Sequence, residues 1–192
     1  MPPLIAFYLG WFLFFASWVG AAFWADEAAA RPGFLRELPY RLITVFGFIL
    51  LFDIYDPPFY PVRALFRLAT GWQWLLLVIA VMGFAFCWWA RVHLGPLWSG
   101  WITKKEEHRV IDTGPYALVR HPIYTGFILA AAATALATGT ATALTGAAVI
   151  AIGYVLKAHL EEQFLAKELG DEAYGAYRRK VPMLVPFWPR FT

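Results

Sequence analysis

Apolar residues run through this chain in long unbroken blocks. Leu4–Trp24 carries no charge, and neither does Trp72–Trp89, which extends to Val92 if Arg91 is admitted. A helix needs about 20 such residues to cross a bilayer, so each block predicts one span. Ile123–Leu156 is 34 residues without a charge, too long for one crossing. Its middle, Thr138 to Gly146, is rich in Thr and Gly and predicts a tight turn, so the block reads as a helical hairpin. Leu42–Phe52 is apolar but short, and Tyr40, Arg41 and Asp53 flank it, which predicts a marginal span or a re-entrant helix. The pattern predicts an all-α integral membrane bundle of about five transmembrane helices with a carboxy-terminal hairpin. The first block lacks a basic leader and a small-residue cleavage site, so it reads as a retained span rather than a signal peptide. Residues 1–92 are expected to form the amino-terminal transmembrane helices, and residues 93–192 the region that carries the chemistry.

Composition sharpens this picture. The chain is 60% hydrophobic and 15% charged, against roughly 45–50% and about 25% in soluble domains. Its ten Trp, nine Tyr and seventeen Phe suit anchoring at the lipid–water boundary. Lys and Arg outside the apolar blocks fall in four groups: three in residues 25–41, two in 53–71, five in 91–121 and six in 157–192. Five crossings put the first, third and fourth groups on one face, 14 against 2. Lys/Arg-rich loops stay in the cytoplasm, so the amino terminus is expected outside and the carboxy terminus inside a membrane such as the bacterial inner membrane. The net charge of +3 follows from this bias and calls for no nucleic-acid partner. The single Cys87 lies in an apolar block and can form no intrachain disulfide.

Polar residues gather in the two segments that flank the hairpin, 94–124 and 154–187. A tight hairpin returns both to one face, so they are neighbours despite the intervening sequence, and a cytoplasmic pocket is expected between them. Pro122 suits the first turn of a helix, with His121 at its cap. That helix end, beside Arg120, is suited to an anion. Tyr116 and Tyr124 bring hydroxyl donors and flat faces, which suit a carboxylate or a purine. An ordinary interfacial collar would use the same residue types. On the exit helix, Tyr154, Lys157 and Glu161 follow an i, i+3, i+7 pattern and share a face, while Glu162 points about a quarter-turn away. Ionisable groups at membrane depth are costly and mark function.

Several chemistries are set aside by absence of pattern. No two glycines are separated by a single residue, so there is no dinucleotide-type fingerprint, and there is no phosphate-binding loop. The four His, at 93, 108, 121 and 159, lack metal-site spacing, so no metal is expected. Ser17 and Ser99 are the only serines, and neither sits in a nucleophile elbow.

The motifs "LGPLWS", "HRVIDTGPYALVRHPIYTG", the pair Glu161–Glu162 and "ELGDEAYGAYRRKVPMLVP" resemble the isoprenylcysteine carboxyl methyltransferase family over residues 90–187. Those are integral-membrane methyltransferases that use S-adenosylmethionine and release S-adenosylhomocysteine. The resemblance implies that the strip His108, Arg109, Val110 and Ile111 holds the adenine. Tyr116 would line the nucleoside pocket. His121, Pro122, Ile123 and Tyr124 would bind the methionine moiety, and Glu161 and Glu162 would complete the pocket. It also implies methyl transfer to a lipophilic or lipidated acceptor drawn from the bilayer, first of all carboxyl O-methylation. Family members acting on prenylcysteine carry Arg where this chain has Lys157, and Lys lacks the planar fork. With a carboxylate acceptor, Lys157 would orient it and Glu161 would position Lys157. With an amine or thiol, Glu161 is the nearest base. The other readings weighed are N- or S-methylation of a lipid or a small hydrophobic amine or thiol, an NADPH-dependent reductase of sterols or isoprenoids, and a non-catalytic ligand-binding membrane protein.

Overall fold

In hydrocarbon every backbone N–H and C=O must be paired internally, and a helix does this within one segment. The apolar blocks accordingly form helices in the computed structural model, which describes residues 2–23, 33–52, 63–99, 110–169 and 171–187. In chain order they are α1 (Pro3–Ala22), α2 (Phe34–Phe52), α3 (Thr70–Leu94), α4 (Pro122–Thr138), α5 (Ala141–Leu169) and α6 (Asp171–Lys180). Short 3-10 turns at Gly95–Leu97 and Gly114–Ala117 lead from α3 towards α4. α1, α3 and α5 are long and apolar enough to cross a membrane, and α4 is a shorter apolar helix. The protein is an integral membrane protein of helices. Among the described residues the only β-pairing is an isolated bridge between Ala64 and Thr140.

The hairpin turn is narrower than the stretch 138–146. Gly139, at φ 72°, ends α4, and α5 begins at Ala141. The threonines do not break the helices because their hydroxyls stay within them. Thr138 donates to the Thr134 carbonyl at 2.9 Å, and Thr134 to that of Ala130 at 2.7 Å. Thr140 accepts the Ala143 N–H at 3.1 Å and so starts α5. α2 begins eight residues before Leu42 and runs through Pro39. Its polar first half is held by local pairs: Tyr40 and Arg41 both donate to Glu37 Oε2, at 2.6 and 2.5 Å.

Small residues bring the helices close. A β-carbon on Gly83 of α3 or Gly126 of α4 would meet the other's carbonyl oxygen, and Gly47 of α2 and Gly146 of α5 repeat the arrangement. The core between these contacts is aromatic. Trp11 of α1 is 2% exposed, donates its indole N–H to Thr134 at 2.9 Å and meets Phe84 edge-on.

The bundle has two distinguishable ends. At one, Leu65 donates to the Gly139 carbonyl at 2.8 Å, tying the α2–α3 connection to the hairpin turn. At the other, the fully buried Arg91 of α3 donates to the carbonyls of Ala21, at 2.7 Å, and Gly95, at 2.6 Å. The latter end also collects the start of α4 and the polar part of α5.

Candidate active site

Pro122 supplies the fixed φ of a first helical turn, and His121 is the residue that caps α4, with no side-chain cap bond of its own. The chain before it is pinned by the segment after α6. Arg120 and His121 donate their backbone N–H groups to Pro182, at 2.9 Å, and Met183, at 3.1 Å. Thr125 donates its hydroxyl to the Leu184 carbonyl at 2.6 Å.

Arg120 is fully engaged there. Its Nε and Nη2 reach Glu162 at 2.7 and 3.2 Å, and Nη1 donates to the carbonyls of Arg178 and Val181 at 3.1 and 2.5 Å. Glu162 also meets His121 Nε2 at 3.1 Å and Arg178 Nε at 3.4 Å. Arg120 is therefore a brace between α4, α5 and α6, its charge compensated by Glu162.

From His121 a column of flat groups descends into the bundle. His121 stacks on Tyr124 at 5.2 Å, Tyr124 on Tyr154 at 5.1 Å, and Tyr154 on Phe127 at 5.3 Å. Glu161 sits beside this column. Its Oε2 accepts the Tyr124 hydroxyl at 2.5 Å and lies 3.7 Å from His121 Nδ1. Lys157, one turn back, places its Nζ 5.0 Å above the Tyr124 ring and 5.6 Å above that of Tyr40.

The mouth is tyrosine-lined. Tyr177 donates to the Tyr116 carbonyl at 2.7 Å, joining α6 to the turn before α4. Burial pushes the phenols of Tyr116, Tyr174 and Tyr177 above their ordinary range, so they stay neutral donors.

These groups enclose a cavity of about 240 Å³. His121, Tyr124, Lys157 and Glu161 form its polar side; Trp18, Trp98, Phe127 and Tyr154 its aromatic side; Tyr116, Tyr174 and Tyr177 its outer rim. Val110, Ile111, Pro122 and Ile123 line it as well. Of the residues expected from sequence, these stand together around one space. Glu162 lies behind the wall, 2% exposed, and bears on the cavity through His121 and Arg120. His108 and Arg109 lie outside the described residues. Sequence reasoning passed over Trp18, Trp98, Tyr174 and Tyr177. For the last two a signal existed, because the i, i+3 spacing of Tyr174 and Tyr177 puts both on one helix face.

Residues 75–167 match the isoprenylcysteine carboxyl methyltransferase family. This segment contains the start of α4, the hairpin and the Lys157–Glu162 turn. The match covers 93 of the chain's 192 residues. The chain is 32% identical to a methanethiol S-methyltransferase of Pseudomonas sp. (strain GM41(2012)) over 168 residues, 81% of this chain and 61% of that one. It is 33% identical to the protein-S-isoprenylcysteine O-methyltransferase of Schizosaccharomyces pombe over 103 residues, 52% of this chain and 43% of that one. A methanethiol S-methyltransferase of Mycobacterium tuberculosis is 45% identical over 75 residues, 38% of this chain and 29% of that one. The chain thus spans less than two thirds of each relative's length. The family segment supplies the inner polar side of the cavity, while Trp18, Tyr174 and Tyr177 come from outside it.

Proposed function

We propose that the protein is an S-adenosylmethionine-dependent methyltransferase of a bacterial inner membrane, acting on a lipophilic acceptor. The observation that carries the reading is the meeting of an uncapped helix start, His121–Tyr124, with the carboxylate of Glu161 on one cavity wall, inside the family segment. The residues fit the cofactor. A zwitterionic amino acid asks for N–H donors at its carboxylate and a carboxylate at its ammonium, and a purine asks for flat faces such as Tyr116 and Tyr177. Helix-start N–H groups and dipole supply the first. Val110 and Ile111 extend this wall, and His108 and Arg109 continue the same strip in sequence. Glu162, bridging Arg120 and His121, keeps the wall in register.

The acceptor is taken to enter between helices and to meet Lys157. A carboxylate acceptor, with an ordinary pKa of about 3.3–3.9, is ionised already and needs no base. Lys157 orients it and Glu161 holds Lys157. Bound S-adenosylmethionine would supply the electrophilic methyl group, with the electron pair of its carbon–sulfur bond staying on sulfur, while Lys157 would hold the acceptor oxygen in line. A second reading, S-methylation of a thiol, is favoured by the relatives named methanethiol S-methyltransferase and by the single ammonium at Lys157 in place of a guanidinium fork. In that case Glu161 accepts the thiol proton.

Five crossings, with the carboxy terminus in the cytoplasm, are supported by the two ends of the bundle and by the 14-to-2 distribution of Lys and Arg. The deciding experiment titrates purified protein separately with S-adenosylhomocysteine and NADPH. It then follows methyl label from S-adenosylmethionine onto an S-prenylcysteine, a short alkanethiol and a native lipid extract. Binding of S-adenosylhomocysteine with label transfer is expected. Binding of NADPH alone would replace the reading with a reductase.

A further inference from the structure

We infer that Glu37 and Tyr40 of α2, outside the family segment, are positioning residues for the Lys157 ammonium. The inference rests on the reading above, in which Lys157 faces the acceptor. Two aromatic rings from different helices bracket Lys157 Nζ: Tyr124 at 5.0 Å and Tyr40 at 5.6 Å. Both rings are tied to a carboxylate in the same way. Tyr124 donates its hydroxyl to Glu161 at 2.5 Å, and Tyr40 donates to Glu37 at 2.6 Å. A phenol whose proton is drawn towards a carboxylate has a more electron-rich ring, and a cation is held by the negative face of such a ring. Packing alone would be served by Phe at position 40.

The remaining contacts fix Tyr40 with respect to α5. Thr44 donates to the Tyr40 carbonyl at 2.7 Å, and Gly153 of α5 lies so close to Thr44 that a β-carbon there would collide with it. Glu37 is 1% exposed and is shared with Arg41 at 2.5 Å. A carboxylate buried at this depth is costly and marks function. Arg41 compensates its charge, which leaves the Glu37–Tyr40 bond free to act on the ring and not on the net charge beside Lys157.

The test uses the full chain in detergent and compares wild type, Tyr40→Phe, Lys157→Ala and the double variant. Tyr40→Phe keeps the ring and the Glu37–Arg41 pair, so it avoids the misfolding that Glu37→Gln invites. Melting temperature, affinity for S-adenosylhomocysteine and acceptor kcat/KM on the S-prenylcysteine and the alkanethiol are measured. Tyr40→Phe is expected to leave melting and cofactor affinity near wild type and to lower acceptor kcat/KM roughly tenfold, the scale of one hydrogen bond to a charged group. In the Lys157→Ala background the same change should cost nothing more, because coupled residues are not additive. An unchanged kcat/KM, or an additive loss in the double variant, overturns the inference and leaves the methyltransferase reading standing. Wild-type protein that transfers no methyl label overturns that reading, and this inference with it.

Discussion

Arg120 and Glu162 form a two-point ion pair across the root of the hairpin, with Nε 2.7 Å from Oε1 and Nη2 3.2 Å from Oε2. Their side chains are 9% and 3% exposed. Breaking a buried pair costs about 3–5 kcal/mol when the remaining charge has no other partner, and Arg178 Nε, 3.4 Å from Glu162, offsets part of that here. Arg120→Ala should therefore lower the melting temperature strongly in purified protein, and loosen the segment after α6 to protease. A melting curve equal to wild type would show that the pair does not brace the fold.

His121 and Tyr124 should matter to the cofactor more than to the fold. His121→Ala and Tyr124→Ala each remove a polar group from the cavity wall, a loss of roughly 0.5–3 kcal/mol in binding. Calorimetric titration with S-adenosylhomocysteine measures it. Unchanged affinity in both variants would move the pocket elsewhere.

Lys157 and Glu161 separate the two acceptor chemistries. Lys157→Ala should cut turnover strongly, to a residual rate that stays measurable, and leave cofactor affinity nearly intact. With a carboxylate acceptor, Glu161→Gln should slow the reaction with a flat profile over roughly pH 6–9, since no proton leaves. With a thiol acceptor the same change should cost about 10²–10⁴ in rate, partly regained at high pH. Full activity in Lys157→Ala would mean that the acceptor does not dock on α5.

Gly126 is expected to tolerate no side chain. A β-carbon would stand 2.5 Å from both the Cys87 sulfur and the Gly83 carbonyl oxygen. Gly126→Ala should destabilise by about 1–3 kcal/mol through overpacking of α3 against α4. Thermal unfolding compares it with Gly20→Ala, where a β-carbon meets nothing within 4 Å and little change is expected.

Topology can be read with reporter fusions. Fusions at Ala29 and Thr192 should report the cytoplasm, and one at Tyr60 the opposite face. A periplasmic signal at Thr192 would invert the orientation.

The helical membrane architecture was legible in the chain because its cause is local. An unbroken apolar block has one way to satisfy its backbone in hydrocarbon, and a block of 34 residues must fold back on itself. The His121–Pro122 helix start was legible for the same reason, as Pro122 acts on its own turn. The hairpin also put Lys157 and Glu161 opposite Tyr124, since its two ends must return to one face. The quarter-turn between the two glutamates was legible, but what each of them meets was not. Adjacent residues on a helix point about 100° apart, and only the position of Arg120 and Arg178 decides that Glu162 turns into the wall while Glu161 faces the cavity. Nor did any local pattern announce that Tyr40, tied to Glu37, approaches Lys157. Only Leu42–Phe52 of their helix reads as a marginal span, and its register against α5 is set by Gly47, Gly146 and Gly153, whose missing side chains act only when a second helix arrives. Contacts of that kind depend on two distant surfaces at once, so tertiary packing alone decided them.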